Sequence, residues 1–583
     1  MDRLKRLVLP LLLEQLKIMG AENLPAEAML TASRESDQGD LSLPCFGFAK
    51  ALGQAPAAIA ASLAEALPRH EALASVTPVN GYLNFTASTD WMARTLLAGG
   101  DGQFTTDEPR TVLIEHTSAN PNGPFHVGRA RNAILGDTLV RLNRLWGNDV
   151  TAEYYVDDMG KQVAVLAWAL EQLTGDQVEG LLAAREPPNP LWKGKQDHER
   201  VRFYQAAQIL RQESEDKAAI EEAIGQLVHA SEHGDVTVLE AFEAAYQPVL
   251  DGMLTTLERL GISFDRFTKE SVFVVNGDVG RLMEELSTLD IHGEADNGAH
   301  FLDLGARGLK GKTEFFYRRG DGSSLYATRD IAYHRWKWTQ STALVNVLGE
   351  DHKLQAQQVG MTLEEIGEAR PEVVFYSFIK LPEGKMSTRR GNVVFMDDLL
   401  EEAKAQAAAV VAELRPEYDP AQISRIAEAV GTSAVRFNII KVSPEKGFTF
   451  RWEDALTFEA GSAPFAMYSH TRACSIANNI GVATPFDPTH VPDLADAPEG
   501  LRQLLRTLCV QRDVLAKAVA EHRPHLFAEH ILQLANAYNA FYRDCKIVGE
   551  DGVHTFYFAV SELARRRLQQ GLNGLGLQAP ETM

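Results

Sequence analysis

One short stretch of the chain constrains the fold more than any other, because it joins a strand pattern, a tight turn and a helix pattern. The strand pattern covers 111–115, and the small-residue turn lies at 126–128. The helix pattern that follows places apolar or small side chains on one face, at Ile134, Leu135, Thr138, Leu139, Leu142 and Leu145. This order is typical of α/β folds that hold an anion, because backbone N–H groups and the helix dipole both face it. Arg129 and Arg131 in the first turn support this interpretation, since cations there otherwise oppose the dipole.

The length of 583 residues and the hydrophobic content of 45% predict several globular domains. The patterns place a small α+β unit at 1–100 and an α/β centre at 108–395, with a helical insertion around 160–265. A helical connecting segment is expected at 396–455 and a helical domain at 456–583. The expected fold class is therefore α/β, with flanking α+β and all-α domains.

Composition excludes some classes of function. A net charge of −22 argues against non-specific binding to polyanions, although a local basic surface can still bind a nucleic acid. Short basic runs occur at 193–195, 389–390 and 565–567, and most such runs are solvated surface. The four cysteines never form C-x-x-C, and no apolar run reaches membrane-spanning length. We therefore expect a cytoplasmic protein with no membrane partner.

A second loop carries cations and hydroxyls. Residues 385–392 read Lys-Met-Ser-Thr-Arg-Arg-Gly-Asn and follow a strand-like run at 373–379. Alone, such a loop is more often only solvated. Paired with the first turn, it is suited to neutralising the charge of a triphosphate as pyrophosphate leaves.

These two segments resemble the signatures of class I aminoacyl-tRNA synthetases. His126-Val127-Gly128-Arg129 is similar to HIGH, and Lys385-Met386-Ser387-Thr388-Arg389 is similar to KMSKS. Further stretches resemble the arginyl-tRNA synthetases within that class, namely 118–121, 154–162, 325–330, 468–472 and 571–583. The resemblance covers the chain from about residue 30 to residue 583.

The resemblance implies a Rossmann-type class I catalytic domain, an N-terminal domain that contacts the tRNA elbow, and an all-α anticodon-binding bundle. It implies ATP-dependent ligation of L-arginine to tRNA(Arg) through an arginyl-adenylate, with release of AMP and pyrophosphate. Mg²⁺ would enter with ATP and needs no metal site of the protein, and we expect a monomer. The alternatives are a class I synthetase of other amino-acid specificity, such as cysteine, and a non-catalytic tRNA-binding paralogue.

Catalytic and ATP-binding residues follow from the two signatures. The resemblance implies catalysis by His126, Gly128, Lys385, Ser387 and Arg389. It implies ATP binding by Pro124, His126, Gly128, Arg129, Lys385, Met386, Ser387 and Thr388. Arg129 replaces the second His of HIGH, and Thr388 replaces the second Lys of KMSKS. The cation near the phosphates is therefore Lys385, Arg389, Arg390 or Arg129.

A pocket for arginine needs carboxylates, which match the planar guanidinium in bidentate geometry. The family-like stretches offer an arginine-binding set of Glu115, Ser118, Asn120, Tyr326, Asp330 and Asp351. Tyr326 and Asp330 are four residues apart and share a helix face. Asp351 stands where many arginyl enzymes carry Gln, and either guanidinium or ATP ribose is a suitable partner. A lone acidic residue would more often be ordinary surface, whereas three at family-like positions favour a site.

The helical region near the end of the chain offers aromatic and cationic side chains. Unstacked bases are recognised by stacking and hydrogen bonds, which this mixture provides. We expect tRNA contacts from Tyr468, His470, Arg472 and Tyr542. Aromatic residues at helical spacing, such as Phe465 and Tyr468, are more often core.

Overall fold

The computed structural model describes residues 1–21, 29–33, 39–99, 104–183, 185, 188–380, 394–451, 456–457, 461–481, 486–550 and 552–583. Among these residues, no helix combines the length and apolar character that a membrane span requires.

The N-terminal unit is a four-stranded antiparallel sheet with helices. Its elements in chain order are α1 (Asp2–Ile18), β1 (Thr31–Ala32), β2 (Leu41–Pro44), α2 (Ala49–Leu52), α3 (Pro56–Ala66), β3 (Leu73–Val79), β4 (Tyr82–Ala87) and α4 (Thr89–Ala98). The strand order is β1-β2-β4-β3. Helix α1 buries a stripe with i,i+4 spacing, formed by Leu4, Val8, Leu12 and Leu16. The Ala-rich stretch 56–67 forms most of α3, and the alternating stretch 81–85 lies in β4.

The central region begins with the predicted strand–turn–helix and continues through a helical insertion. Its first elements are β5 (Thr111–Glu115), α5 (Val127–Leu145), β6 (Asp149–Val156), α6 (Lys161–Gln172), α7 (Gly175–Leu182), α8 (Gln196–Glu213), α9 (Lys217–Glu232), α10 (Val236–Arg259) and β7 (Arg266–Lys269). Helices α6 to α10 occupy most of the stretch around 160–265.

The rest of the central region contains one sheet that the patterns did not predict. Its elements are α11 (Val272–Val275), α12 (Asp278–Leu286), β8 (His292–Glu294), β9 (His300–Asp303), β10 (Glu314–Arg318), α13 (Tyr326–Gln340), β11 (Ala343–Gly349), α14 (Lys353–Glu365), β12 (Glu372–Tyr376) and β13 (Ile379–Lys380). Strands β8 to β10 form a separate antiparallel sheet in the order β10-β9-β8. Its strands are only three to five residues long and lack clear alternation, so periodicity alone could not reveal them.

The central sheet is parallel throughout, with strand order β12-β11-β5-β6-β7. The chain leaves β5 toward β6 on one side and later returns to β11 on the other side. The strand order therefore reverses between β5 and β11. In open α/β sheets, ligands bind beyond the carboxyl ends of the strands at such a switch point.

The last part of the chain is helical apart from short two-residue strands. Its elements are α15 (Met396–Leu414), α16 (Pro420–Ile440), β14 (Phe448–Thr449), α17 (Ala463–Ile480), α18 (Glu499–Ala520), α19 (Pro524–Asp544), β15 (Val548–Gly549), β16 (Gly552–Val553) and α20 (Thr555–Gly574). A buried ion pair connects this region with α5, where Arg436 Nη2 lies 2.6 Å from Asp137 Oδ2. The same guanidinium donates to the carbonyl of Leu575 just after α20, at 3.2 Å.

Candidate active site

The predicted first turn lies at the switch point, at the N-terminus of α5. His126 is the residue that precedes the helix, and it pairs with Phe395 across an isolated antiparallel bridge. On either side, Val127 N–H donates to Val394 O at 3.0 Å and Met396 N–H donates to Phe125 O at 2.7 Å. The turn is therefore held in place by backbone hydrogen bonds to the start of α15.

The imidazole of His126 is neutral at physiological pH. Burial and the nearby charge of Arg129 lower the pKa of His126 to about 4. Its side chain makes no capping hydrogen bond to the helix. A Cβ at Gly128 would lie 3.0 Å from His126 Nδ1. Glycine at this position therefore leaves room for the imidazole.

Arg129 and Arg131 have different environments, and the interpretation of Arg131 as an anion ligand is wrong. Arg131 is fully buried, and Nη2 donates to the carbonyls of Ser443 at 2.8 Å and Lys446 at 2.9 Å, while Nη1 donates to the carbonyl of Ser377. It ties α5 to the segments near β13 and β14. The helical stripe shared with Ile134 and Leu135 was the sequence signal for this burial. Arg129 is half-buried beside His126.

The segment between β5 and the turn is strained. Thr117 has φ 69° and Ser118 has φ 37°, although neither is glycine. Left-handed backbone is costly for a β-branched residue, by about 1–3 kcal/mol. Thr117 N–H donates to Asn132 Oδ1 at 2.7 Å, and Asn132 Nδ2 donates to Val347 O on β11 at 2.9 Å. Helix α5 and β11 together stabilise this conformation at the edge of the site.

Glu115 at the end of β5 is paired with a buried lysine that the sequence did not reveal. Lys337 Nζ lies 2.7 Å from Glu115 Oε2 and 3.0 Å from Asn346 Oδ1, and its side chain is fully buried. Ser118 Oγ donates to the other carboxylate oxygen, Glu115 Oε1, at 3.3 Å. The charge of Glu115 is therefore balanced within the protein, and its carboxylate is fixed in orientation.

Asp330 lies on the same face of α13 as Tyr326, as predicted. His334 Nδ1 lies 3.0 Å from Asp330 Oδ1, while His334 Nε2 faces Lys337 Nζ at 3.1 Å. An ammonium has no acceptor, so Nε2 accepts and the ring proton on Nδ1 points to Asp330. Burial raises the pKa of the Asp330 carboxyl, but His334 and Lys337 together lower it by more than burial raises it. The pKa is therefore below its ordinary value, and the group stays ionised. The Tyr326 residue is 46% exposed, which leaves its ring accessible to a ligand.

Tyr155 on β6 lies beside this pair and was not predicted as a site residue. Its ring stacks on Tyr333 at a centroid distance of 4.2 Å. Burial and the neighbouring charges of Glu270, Tyr326 and Asp330 raise its pKa well above 10. Its buried hydroxyl has no hydrogen-bond partner among the described residues. The phenol is therefore a neutral, buried donor beside Tyr326 and Asp330.

A buried carboxyl pair lies behind Tyr155. Asp157 hydrogen-bonds to Glu270, and Glu270 Oε1 accepts from the guanidinium of Arg329. Burial raises the pKa of both carboxyls. Glu270 lies at the end of β7, where the sequence carried no signature to mark it.

Asn120 and Asn122 both contact the family-like stretch 154–162. Both amides donate to Gln162 Oε1 at 2.9 Å. Gln162 lies in the first turn of α6, after Gly160 with φ 93°. The two stretches therefore contact each other.

Other predicted residues have weaker or no structural support. The side chain of Asp351 is 60% exposed, with His352 Nε2 at 3.8 Å from its carboxylate. Pro124 is buried beneath the turn. The second signature, with Lys385, Met386, Ser387, Thr388, Arg389 and Arg390, lies outside the described residues.

The predicted tRNA contacts divide into a surface cluster and a buried residue. The Arg472 guanidinium lies over the rings of Tyr468 at 4.8 Å and Tyr542 at 5.1 Å, and Tyr542 is 45% exposed. His470 is fully buried and lies 3.1 Å from the carbonyl of Pro580. The expectation that His470 contacts RNA is therefore corrected, because its imidazole holds the C-terminal segment.

Comparison with known families covers nearly the whole chain. Residues 92–452 match the family described as tRNA synthetases class I (R), catalytic domain. Residues 466–583 match the DALR anticodon binding domain, and residues 8–87 match the arginyl tRNA synthetase N terminal domain.

Similar proteins extend the comparison to full length. An arginine–tRNA ligase of Methanocella arvoryzae is 40% identical over 558 residues, which are 94% of this chain and 95% of that protein. An arginine–tRNA ligase of Methanosarcina acetivorans is 35% identical over 100% of both chains. The structure of Thermus thermophilus arginyl-tRNA synthetase is similar with a TM-score of 0.81 and 27% identity over 100% of both chains. These matches agree with the signature turn on α5 and the acidic pocket on β5 and α13, and the chain belongs to the arginyl-tRNA synthetase family of class I.

Proposed function

We propose that this chain ligates L-arginine to tRNA(Arg) in two steps. The arginine carboxylate attacks the α-phosphorus of ATP, which forms arginyl-adenylate and releases pyrophosphate. The 3′-terminal ribose hydroxyl of the tRNA then attacks the adenylate carbonyl, which forms the ester and releases AMP. The enzyme contributes positioning and charge stabilisation, without a covalent intermediate on the protein.

The ATP half of the site centres on His126. A neutral imidazole at the N-terminus of α5 donates one N–H to a phosphate oxygen as charge develops at phosphorus, and the helix dipole adds to this stabilisation. Among the described residues, the cation beside His126 is the half-buried Arg129. We assign contact with the departing pyrophosphate to Lys385, Ser387 and Arg389, on the basis of the family resemblance alone.

The arginine half of the site is formed by Asp330, Tyr326 and Glu115. The observation that carries this assignment is the ionised Asp330 carboxylate, which His334 orients and whose neighbour Tyr326 offers an accessible ring. The guanidinium donates to Asp330 and stacks on Tyr326. A neutral side chain such as citrulline leaves Asp330 without the charge-assisted partner that a guanidinium provides, which supports discrimination of roughly 10⁴-fold without an editing domain.

The proposed arginine site also includes Ser118, Asn120 and Asp351. Ser118 bridges Glu115 and the backbone of Tyr155, with Tyr155 N–H donating to Ser118 Oγ at 3.1 Å. Asn120 is suited to the α-amino group of arginine, since its amide is fixed by Gln162. Asp351 at the end of β11 faces either the guanidinium or the ATP ribose.

In the helical domain, we assign base stacking to Tyr542, whose ring contacts the Arg472 guanidinium, as the ring of Tyr468 does. Mg²⁺ arrives as part of the ATP substrate, and ATP needs no separate cage of protein ligands. We further propose that the protein acts in the cytoplasm as a monomer of 64.2 kDa. Light scattering on the purified protein tests the last point directly.

Aminoacylation of total tRNA with each amino acid tests the function. We expect charging with arginine alone. Tight tRNA binding without charging would support the non-catalytic paralogue, and charging with cysteine or another amino acid would support a different specificity. ATP–pyrophosphate exchange with arginine is expected only when tRNA is present, as in the family. Robust exchange without tRNA would refute that requirement.

A further inference from the structure

Lys195, the last residue of the short basic run at 193–195, is not solvated in the way that such residues usually are. Lys195 is largely buried, and its ammonium donates to Asp197 Oδ2 at 2.7 Å and to Asp397 Oδ2 at 2.8 Å. A third hydrogen bond reaches Thr256 Oγ1 at 2.8 Å. All three ammonium protons are therefore used, and both carboxylates are almost completely buried.

The ammonium takes the place that a metal ion would need. Asp197, His198 and Asp397 each offer a ligand atom, and these atoms lie within 4.8 Å of one another. His198 Nε2 lies 2.8 Å from Asp397 Oδ2, the same oxygen that Lys195 contacts. Lys195 is thus an internal counter-ion, and its charge makes a bound divalent cation unnecessary in this cluster.

The cluster connects the helical insertion to the start of α15. Asp197 and His198 lie in the first turn of α8, Thr256 lies on α10, and Asp397 lies in the first turn of α15. A Cβ at Gly252 on α10 would lie 2.5 Å from the Asp197 carboxyl carbon, so glycine admits the carboxylate here. Trp192 Nε1 adds a hydrogen bond to Asp398 Oδ1 at 2.9 Å.

From α15 the contacts lead directly to His126. Phe395 is the backbone partner of His126, and the His198 ring meets the Phe395 ring edge-on at 5.3 Å. Helix α8 also touches the other side of the turn, where a Cβ at Gly123 would lie 2.5 Å from Val201 Cγ2. The turn that bears His126 is therefore enclosed by α8 and the first residues of α15, which Lys195 holds together.

We propose that Lys195 is a positioning residue for arginine activation, whose ammonium joins α8 to α15 and thereby fixes the His126 imidazole against the α-phosphate of ATP. This inference rests on the proposed role of His126. Among the described residues, no hydrogen bond or ion pair joins the cluster to Glu115, Tyr326 or Asp330, so we expect the affinity for arginine to be independent of Lys195.

A double-mutant cycle between Lys195→Met and His126→Ala tests the proposal. ATP–pyrophosphate exchange is measured with tRNA present, with kcat and the KM for arginine determined separately. Lys195→Met is expected to lower kcat about tenfold or more, because misplacement by about 1 Å is costly to a positioned group. The KM for arginine is expected to stay within about twofold of the parent value. The double variant is expected to match His126→Ala alone within about twofold, because Lys195 acts through His126.

Two further variants control for folding. Lys193→Met changes an exposed lysine two residues away and should keep the parental kcat. Thr256→Val removes one hydroxyl from the cluster without changing the charge of the cluster. We expect kcat to fall threefold to tenfold, on the scale of one hydrogen bond, about 0.5–1.5 kcal/mol. The thermal midpoint is expected to stay unchanged.

The outcomes separate the inference from the function on which it rests. If His126→Ala keeps the parental kcat, the role assigned to His126 is wrong and the inference falls with it. If His126→Ala loses activity but Lys195→Met and Thr256→Val do not, only the inference is overturned. Losses that multiply in the double variant, or a rise in the KM for arginine equal to the loss in kcat, also overturn it, since both indicate general loosening of the domain.

Discussion

The ammonium of Lys337 lies 2.7 Å from the Glu115 carboxylate, at the point where the central strand β5 meets helix α13. The lysine is fully buried and also lies 4.3 Å from the centre of the Tyr333 ring. Through His334 it is connected to Asp330, so one buried cation orders two of the three acidic residues predicted for the pocket.

Loss of this cation should destabilise the catalytic domain. Lys337→Met leaves Glu115 charged and poorly solvated, and the expected loss of unfolding free energy is about 3–5 kcal/mol. Adding Glu115→Gln should restore part of it, because the uncompensated charge is then removed. Thermal and urea unfolding of the two single variants and the double variant measure the effect. Additive losses would contradict direct coupling between the two side chains.

Asp330→Asn keeps the shape of the side chain and removes its charge. We expect the KM for arginine to rise about 10–100-fold, on the scale of a hydrogen bond to a charged group. The kcat at saturating arginine should change much less, because the phosphate half of the site is intact. Asp296→Asn, at an exposed position between β8 and β9, is the matched control. An unchanged KM in Asp330→Asn would show that the guanidinium binds elsewhere.

The pH dependence of activation should not report on His126 near neutrality. Burial lowers the pKa of His126 to about 4, so the imidazole is neutral from about pH 6 upward and becomes protonated only as the pH falls toward 4. Profiles of kcat for the parent and His126→Asn between about pH 6 and 8.5 are therefore expected to be parallel. A step that is present in the parent and absent in the variant would mean that His126 titrates in this range.

His530 on α19 should make the helical domain sensitive to acid. Burial lowers the pKa of His530 to about 4, and neither ring nitrogen has a hydrogen-bond partner among the described residues. Between this value and the ordinary value of about 6.5, only the unfolded chain takes the proton, so stability falls as the pH is lowered through that window. The gain in unfolding free energy of His530→Leu over the parent should be about 2 kcal/mol larger at pH 5 than at pH 8. Thermal unfolding at both pH values gives the comparison, and equal differences would contradict it.

Tyr542→Ala should weaken tRNA binding without affecting arginine. Loss of one base-stacking ring costs about 1–3 kcal/mol, so the KM for tRNA should rise about fivefold or more. The KM for arginine at saturating tRNA should stay at the parental value. Tyr542→Phe keeps the ring and should bind tRNA like the parent. Equal effects of Ala and Phe would point to the hydroxyl instead of stacking.

The strand–turn–helix at 111–145 was predictable because local periodicity and turn chemistry agree there with the tertiary fold. The family-like stretches 118–121 and 154–162 also contact each other, as the hydrogen bonds of Asn120 and its neighbour Asn122 to Gln162 show. What the local pattern could not show was which polar side chains are buried. Lys337 resembles a solvated helix lysine until its neighbours on β5 and β11 are known.

Arg131 illustrates a different failure. A cation in the first turn of a helix suggests an anion ligand, and Arg129 beside it fits that interpretation. Periodicity alone would have placed Arg131 on the buried face with Ile134. The positive charge of Arg131 at the helix start was a weaker signal than its position on the buried face. An arginine can donate to backbone carbonyls as well as to phosphate, so its charge alone does not indicate an anion.

Helix α5 is anchored near its start by Arg131, and near its middle by the pair of Asp137 with Arg436. An α-helix is stiff, and about 16 Å of axis separate Asp137 from His126. Since Arg436 also donates to the carbonyl of Leu575, one stiff helix joins the buried contacts of the C-terminal segment to the turn that bears His126.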